Sequence, residues 1–237
     1  PTASILFDTG AGPNFIANAN ILGFDISKVD YLIISHGHYD HIGGIKYFCE
    51  VNKKATILLK EHALAPKFNG ERYVGVDREL TGFKNRFQFV DHVTELIPSV
   101  FILPEIQISD PDDIRTSGFK TVKNNELIDD DFTDELFLCI NSNDKISIIS
   151  SCSHNGITNI CETAKNFFNL PVKRVIGGFH ISKTGYESSQ QISNYFNANS
   201  VSEVFTCHCT GIDEFAYMKQ LCNAVVKYNS TGDSILI

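Results

Sequence analysis

A chain of 237 residues that is 43% hydrophobic can bury a substantial core, and one layered domain over residues 1–237 is the expectation at that size. The formal charge of −8, with no basic stripe beyond Lys53-Lys54 and Lys173-Arg174, speaks against a nucleic-acid partner, whose affinity would rest on clustered Lys and Arg. The sequence shows neither an apolar run of about 18 residues nor a charged-then-apolar leader, so a cytoplasmic protein without a membrane span is expected.

In chain order, residues 4–7 read as a strand ending in the turn Asp8-Thr9-Gly10, and residues 14–22 as a helix stopped by Gly23. The apolar run at 29–35 is a buried strand, followed by the loop SHGHYDHIGG at 35–44, a helix at 43–51 and a strand at 55–59. This alternation of strand and helix is the pattern of layered α/β proteins. Residues 66–130 break it, with prolines and glycines separating short strands at 87–90 and 100–103, and are expected to be a substrate-covering insertion. A hairpin at 135–140 and 145–150, turning on 141–144, then delivers Cys152 and His154. Helices are expected at 157–168, 186–197 and 213–228, and strands at 174–176, 201–206 and 234–237. Of the seven cysteines, Cys49, Cys139, Cys161 and Cys222 read as reduced core or near-surface residues.

Three histidines and an aspartate between His36 and His41 are hard to explain unless they hold metal. Imidazole nitrogen and carboxylate oxygen suit Zn²⁺ and Fe²⁺. His36 and His38, two apart on an extended turn, project the same way and suit one ion, while Asp40 and His41 run into the helix and suit a second.

The pattern His-x-His-x-Asp-His resembles the signature of the metallo-β-lactamase superfamily. ILFDTG at 5–10 looks like that family's early strand and aspartate turn, SCSHNG at 151–156 like its next histidine motif, and CHCTG at 207–211 like a late one. Together with IGGFH at 176–180, they are similar to a subgroup that includes the dihydropterin-ribofuranosylaminobenzene-phosphate synthase of methanopterin biosynthesis and many metal-dependent hydrolases. The resemblance implies an α/β fold, an αββα sandwich of two mixed sheets with outer helices. It also implies that a hairpin usually found before the first strand is missing from the start of this chain.

On the same resemblance, His154 looks like the third ligand of the first metal and His208 the third ligand of the second. Three protein ligands leave an open position for water, as a catalytic metal requires. The residues themselves leave alternatives open. His154 would also suit a strand-end turn bonded to a carbonyl, and Cys207 with Cys209 offers His208 a rival thiolate site, although a lone Cys-x-Cys is a weak zinc signal. His180 could ligate metal, contact substrate or be structural, and it or Cys152 could supply a contact that many family members draw from an aspartate. Asp8 is placed to accept the N–H of a liganding histidine and fix its tautomer, or else simply forms a turn. His62 and His92 read as residues outside the site.

Two divalent ions, Zn²⁺ first with Fe or Mn as alternatives, together with Asp40 and one hydroxide leave a net charge of about +2. Such a site favours a small anionic substrate, with Arg72, Lys84 and Lys183 as candidate phosphate partners. Metal-assisted hydrolysis, with Asp40 among the catalytic groups, is the expected chemistry. An iron-dependent oxidoreductase on the same fold, a methanopterin-pathway-like synthase and a metal-stabilised binding module are the rival readings.

Overall fold

The structure, a computed structural model, describes residues 3–76 and 78–237. Thr2, just ahead of the strand expected at 4–7, lies outside them. The chain forms two compact units, one from the N-terminal residues to His92 together with Thr116–Leu136, the other from Val93–Arg115 and Phe137–Ile237. The first unit thus takes both flanks of the 66–130 stretch, and the second takes its middle.

In the first unit the strands Ile5–Phe7, Tyr31–Ile33, Thr56–Leu59 and Phe87–Phe89 lie side by side in that order, all parallel. Their register aligns Leu6, Leu32, Ile57 and Phe87 across the sheet. Parallel neighbours need crossovers, and the helices Asn14–Ile21 and Ile45–Val51 provide two of them. The second of these packs Ile45 and Phe48 against Leu32, Ile57 and Leu59 to make the unit's core. The helix expected at 43–51 runs from Ile45 to Val51, and a separate short helix, Tyr39–Ile42, precedes it across Gly43 and Gly44. A second sheet is antiparallel, in the order Glu126–Asp129, Phe119–Lys123, Lys67–Asn69, Arg72–Tyr73. The hairpin at 119–129 turns on Asn124 and Asn125, whose φ of 54° and 65° are the left-handed pair that a tight hairpin turn needs.

The second unit is built on a seven-stranded mixed sheet. Val225–Tyr228, Glu203–Thr206, Val172–Gly177 and Lys145–Ser150 run parallel, and Phe137–Ser142, Val100–Leu103 and Thr94–Ile97 continue it antiparallel. The helices Ile157–Phe168 and Tyr186–Ala198 pack Ile160, Ala164, Ile192 and Phe196 onto Ile148, Val175 and Val204. Two expectations near the C-terminus fail. The helix expected at 213–228 ends at Leu221, Cys222 turns extended at ψ 138°, and Val225–Tyr228 become the sheet's edge strand. Its adjacent β-branched Val225 and Val226 favour a strand, which the helical spacing concealed. Residues 234–237 form no strand. Among the described residues no helix is long and apolar enough to cross a membrane.

Candidate metal centre

In the first unit the strand Tyr31–Ile33 runs into the histidine loop, and Asp8, at the end of the neighbouring strand, organises it. Asp8 has a left-handed φ of 62°. One carboxylate oxygen accepts the Ser35 amide at 2.7 Å; the other accepts the Ser35 hydroxyl and His41 Nδ1–H, each at 2.7 Å. Because the hydroxyl gives its hydrogen to the carboxylate, His36 Nδ1, 2.9 Å from Ser35 Oγ, must donate to it. Both His36 and His41 therefore present Nε2 as a lone pair, the tautomer a ligand needs.

His36 Nε2 lies 3.1 Å from His38 Nδ1, and the His36 and His41 rings are 4.2 Å apart. Two nitrogens on one tetrahedral Zn²⁺ at about 2.0–2.1 Å stand roughly 3.3 Å apart, so this pair already has the spacing of a shared ion. Asp40 Oδ2 is 3.7 Å from His41 Nε2 and more exposed than any of the three histidines. Burial, reinforced by the charge on Lys67 and only partly opposed by Asp134 and Asp40, pushes His38 down to about 3, so it is a neutral imidazole at physiological pH. The donor chemistry of this loop fits a divalent cation.

Behind the loop is a buried ionic group that nothing local in the sequence marks. Asp134 accepts the amide of Gly37, the residue between the first two histidines, at 2.7 Å. Lys67 Nζ bridges Asp134 at 2.8 Å and Asp130 at 2.7 Å, with all three side chains fully buried. A Cβ at Gly37 would run into the Ala63 carbonyl, so the loop passes this point only as glycine. His38 packs between Phe119 and Phe132, at ring distances of 5.0 and 5.2 Å. Arg72 reaches this loop too, donating to Tyr39 Oη at 3.1 Å with its guanidinium over the Tyr39 ring.

In the second unit the donors follow three adjacent parallel strands. Ser150, Gly177 and Thr206 are in register at their carboxyl ends, and Cys152, His180 and Cys209 come two or three residues later. Cys152 Sγ is 3.1 Å from His180 Nδ1 and 3.1 Å from Cys209 Sγ, so the thiol that joins this group is Cys209 rather than Cys207. Burial would raise Cys209, but hydrogen bonds from Cys152 and His180 and the charges of His208 and His180 hold it well below its ordinary value. Cys207 goes the other way, pushed up to about 11 by burial and the neighbouring Cys209.

His154, fully buried, donates Nδ1–H to the Arg115 carbonyl at 3.0 Å and so also presents Nε2 as a lone pair; its ring is 4.1 Å from that of His180. His208 is exposed, at the start of the turn His208–Thr210. Ser153, His180 and His208 all hold φ of 50°, a conformation that costs non-glycine residues on the order of 1–3 kcal/mol and clusters at functional sites. Of the histidines read as outside the site, His62 lies 3.5 Å from Thr121 Oγ1 and His92 is exposed.

Residues 1–120 match the family model of the metallo-β-lactamase superfamily. The crystal structure of Tm1679, a metal-dependent hydrolase of the β-lactamase superfamily, superposes with a TM-score of 0.89 at 33% identity, over 99% of this chain and 89% of that one. The chain therefore belongs to the metallo-β-lactamase superfamily and has its α/β fold of mixed sheets and helices, a fold whose members generally bind divalent metals. Two relatives come from Methanocaldococcus jannaschii. An uncharacterized protein is 29% identical over 98% of this chain and 88% of its own length. The 7,8-dihydropterin-6-methyl-4-(β-D-ribofuranosyl)-aminobenzene-5'-phosphate synthase is 27% identical over 87% of this chain and 75% of its own.

Proposed function

We propose that this protein is a metal-dependent hydrolase of a small, anionic, phosphate-bearing molecule. On the family resemblance, a first ion would be held by His36, His38 and His154, and a second by Asp40, His41 and His208. Zn²⁺ is the ion of choice, with Fe or Mn as alternatives. The observation that carries the reading is the pair of ring nitrogens 3.1 Å apart on His36 and His38, beside a His41 whose tautomer Asp8 fixes. When bound, the ions supply a Lewis acid and a nucleophilic water near neutral pH.

The chain's own groups do the rest. Asp8 and Ser35 hold two imidazoles in the lone-pair tautomer, and Asp134 pins the loop through Gly37. Asp40 adds a charged ligand at the loop's exposed edge, where it can also take a proton. Arg72 over Tyr39 sets a cation beside the loop and favours an anionic substrate. The reading is tested by assaying metal-loaded protein on phosphomonoesters, phosphodiesters and matched neutral esters. Turnover that prefers the phosphates and disappears in a folded Asp40→Ala protein is the expected result; equal turnover of neutral esters would overturn the substrate class.

The synthase relative favours a second reading, in which the same centre builds a phosphate-bearing product. Incubation with a phosphoribosyl aromatic acceptor and a dihydropterin donor activated by a leaving group at its 6-methyl carbon separates the two, because a synthase joins them into a larger phosphorylated product with loss of that leaving group, whereas a hydrolase releases a fragment.

A further inference from the structure

Three parallel strands of the second unit, Lys145–Ser150, Val172–Gly177 and Glu203–Thr206, end in register at Ser150, Gly177 and Thr206. Carboxyl ends of adjacent parallel strands open on one edge, where ligands of open α/β sheets bind. Each of these ends carries one soft or borderline donor: Cys152 Sγ, His180 Nδ1 and Cys209 Sγ, all within 4.8 Å of one another. The backbone makes room for them. A Cβ on Gly177 would strike the Ser150 carbonyl, so that glycine lets the strand ends close together, and one on Gly178 would lie 2.7 Å from Cys209 Sγ, so Gly178 admits the sulfur. The amide of His180 donates to Cys209 Sγ at 3.2 Å, a bond that stabilises a thiolate in place.

We propose that Cys152, His180 and Cys209 form a thiolate-rich site for a soft divalent cation, Zn²⁺ in the first instance, through the two sulfurs and His180 Nδ1. This goes beyond the centre proposed above, none of whose six ligands it uses. Both thiols give their protons to solvent as the ion binds, so two thiolates and a neutral imidazole balance its charge. Three protein ligands leave a fourth position for water or an external thiol.

The distances distinguish this from a disulfide. Zn²⁺ with bonds of about 2.3 Å to sulfur and 2.0–2.1 Å to nitrogen sets donor separations of roughly 3.5–3.8 Å. The observed separations of 3.1 Å need to open by about half an ångström to reach that spacing. A disulfide at about 2.05 Å requires the sulfurs to close by about 1 Å and leaves His180 without a role.

The test is metal-stripped, reduced protein reloaded with Co²⁺. Thiolate ligands give Co²⁺ a near-ultraviolet charge-transfer band that imidazole and carboxylate ligands do not. The band is expected in wild type, lost in Cys152→Ser and in Cys209→Ser, and kept in Cys207→Ser and His36→Ala. No band in wild type, or a band surviving in Cys209→Ser, would overturn the proposal. Should a serine variant fail to fold, alkylation of wild type decides: Zn²⁺ is expected to protect Cys152 and Cys209, and a chelator to restore their labelling. Equal labelling with and without Zn²⁺, or a Cys152–Cys209 disulfide in protein purified without oxidant, would also overturn it.

Discussion

The two donor-bearing regions are assembled by different means. In the first unit, four donors sit within six residues of one loop, and a carboxylate on the next strand plus a buried ion network hold them. In the second, each donor is isolated in sequence and the strand register brings Cys152, His180 and Cys209 together. A contiguous loop can keep its ligands through small shifts but depends on what lies behind it, whereas a register-built set depends on the backbone at each strand end. Substitutions should therefore fail differently in the two regions.

The largest expected effect is on chemistry. Asp40→Ala should lower turnover by on the order of 10³-fold or more, because a site that loses a charged ligand gives up several kcal/mol of transition-state stabilisation. Circular dichroism should show an unchanged fold, since Asp40 lies at the exposed edge of the loop. A variant with turnover within about tenfold of wild type would remove Asp40 from the chemistry.

Next comes the support behind the loop. Lys67→Met leaves Asp130 and Asp134 buried without their cation and should cost roughly 3–5 kcal/mol in urea unfolding. Adding Asp130→Asn and Asp134→Asn should recover much of that, whereas a full loss in the triple variant would show that packing, not charge, was at stake. Burial alone would lower the Lys67 ammonium, but Asp134 and Asp130 more than offset it and hold it above its ordinary value. Its contribution is thus fully present below the unfolded value and is lost as pH rises through the folded one. Wild type should lose stability above about pH 10.4, in a step that Lys67→Met lacks.

The same contrast governs what could be read in advance. The histidine loop announces itself because its donors are neighbours in the chain, and Ile157–Phe168 and Lys145–Ser150 because local periodicity governs them. Lys67 and Asp134 are 67 positions apart and nothing local marks either. Cys209 was visible only as half of a Cys-x-Cys pair; choosing it over Cys207 required the register of three strands. The Asn124-Asn125 turn was a legible hairpin signal that the proline and glycine breaks of 66–130 obscured. At the C-terminus, helical spacing ran on through residues whose edge-strand fate is set by pairing with Glu203–Thr206.

For the register-built set, Gly177→Ala is the sharper probe. Gly177 has φ of 138°, and an added Cβ meets a backbone carbonyl that cannot swing aside. Strain and overpacking together should cost about 3 kcal/mol. Gly185→Ala, with φ of 82° and open space around it, should cost only about 1 kcal/mol of backbone strain. Equal losses in urea unfolding would mean that the close approach at Ser150 contributes nothing to the strand ends.

The smallest expected effect tests how the loop is oriented. Asp8→Asn keeps the shape of the side chain but replaces one acceptor oxygen with a donor, so it cannot receive all three hydrogen bonds from Ser35 and His41. His41 then loses the partner that sets its tautomer, and metal affinity should fall by about 10- to 100-fold, as for other partners of metal-bound histidines. Chelator competition at fixed pH measures it. Asp8→Ala should be at least as severe, because Ser35 and His41 both lose their acceptor. If Asp8→Asn bound metal as tightly as wild type while Asp8→Ala did not, Asp8 would serve to shape the turn at its left-handed φ and not to orient His41.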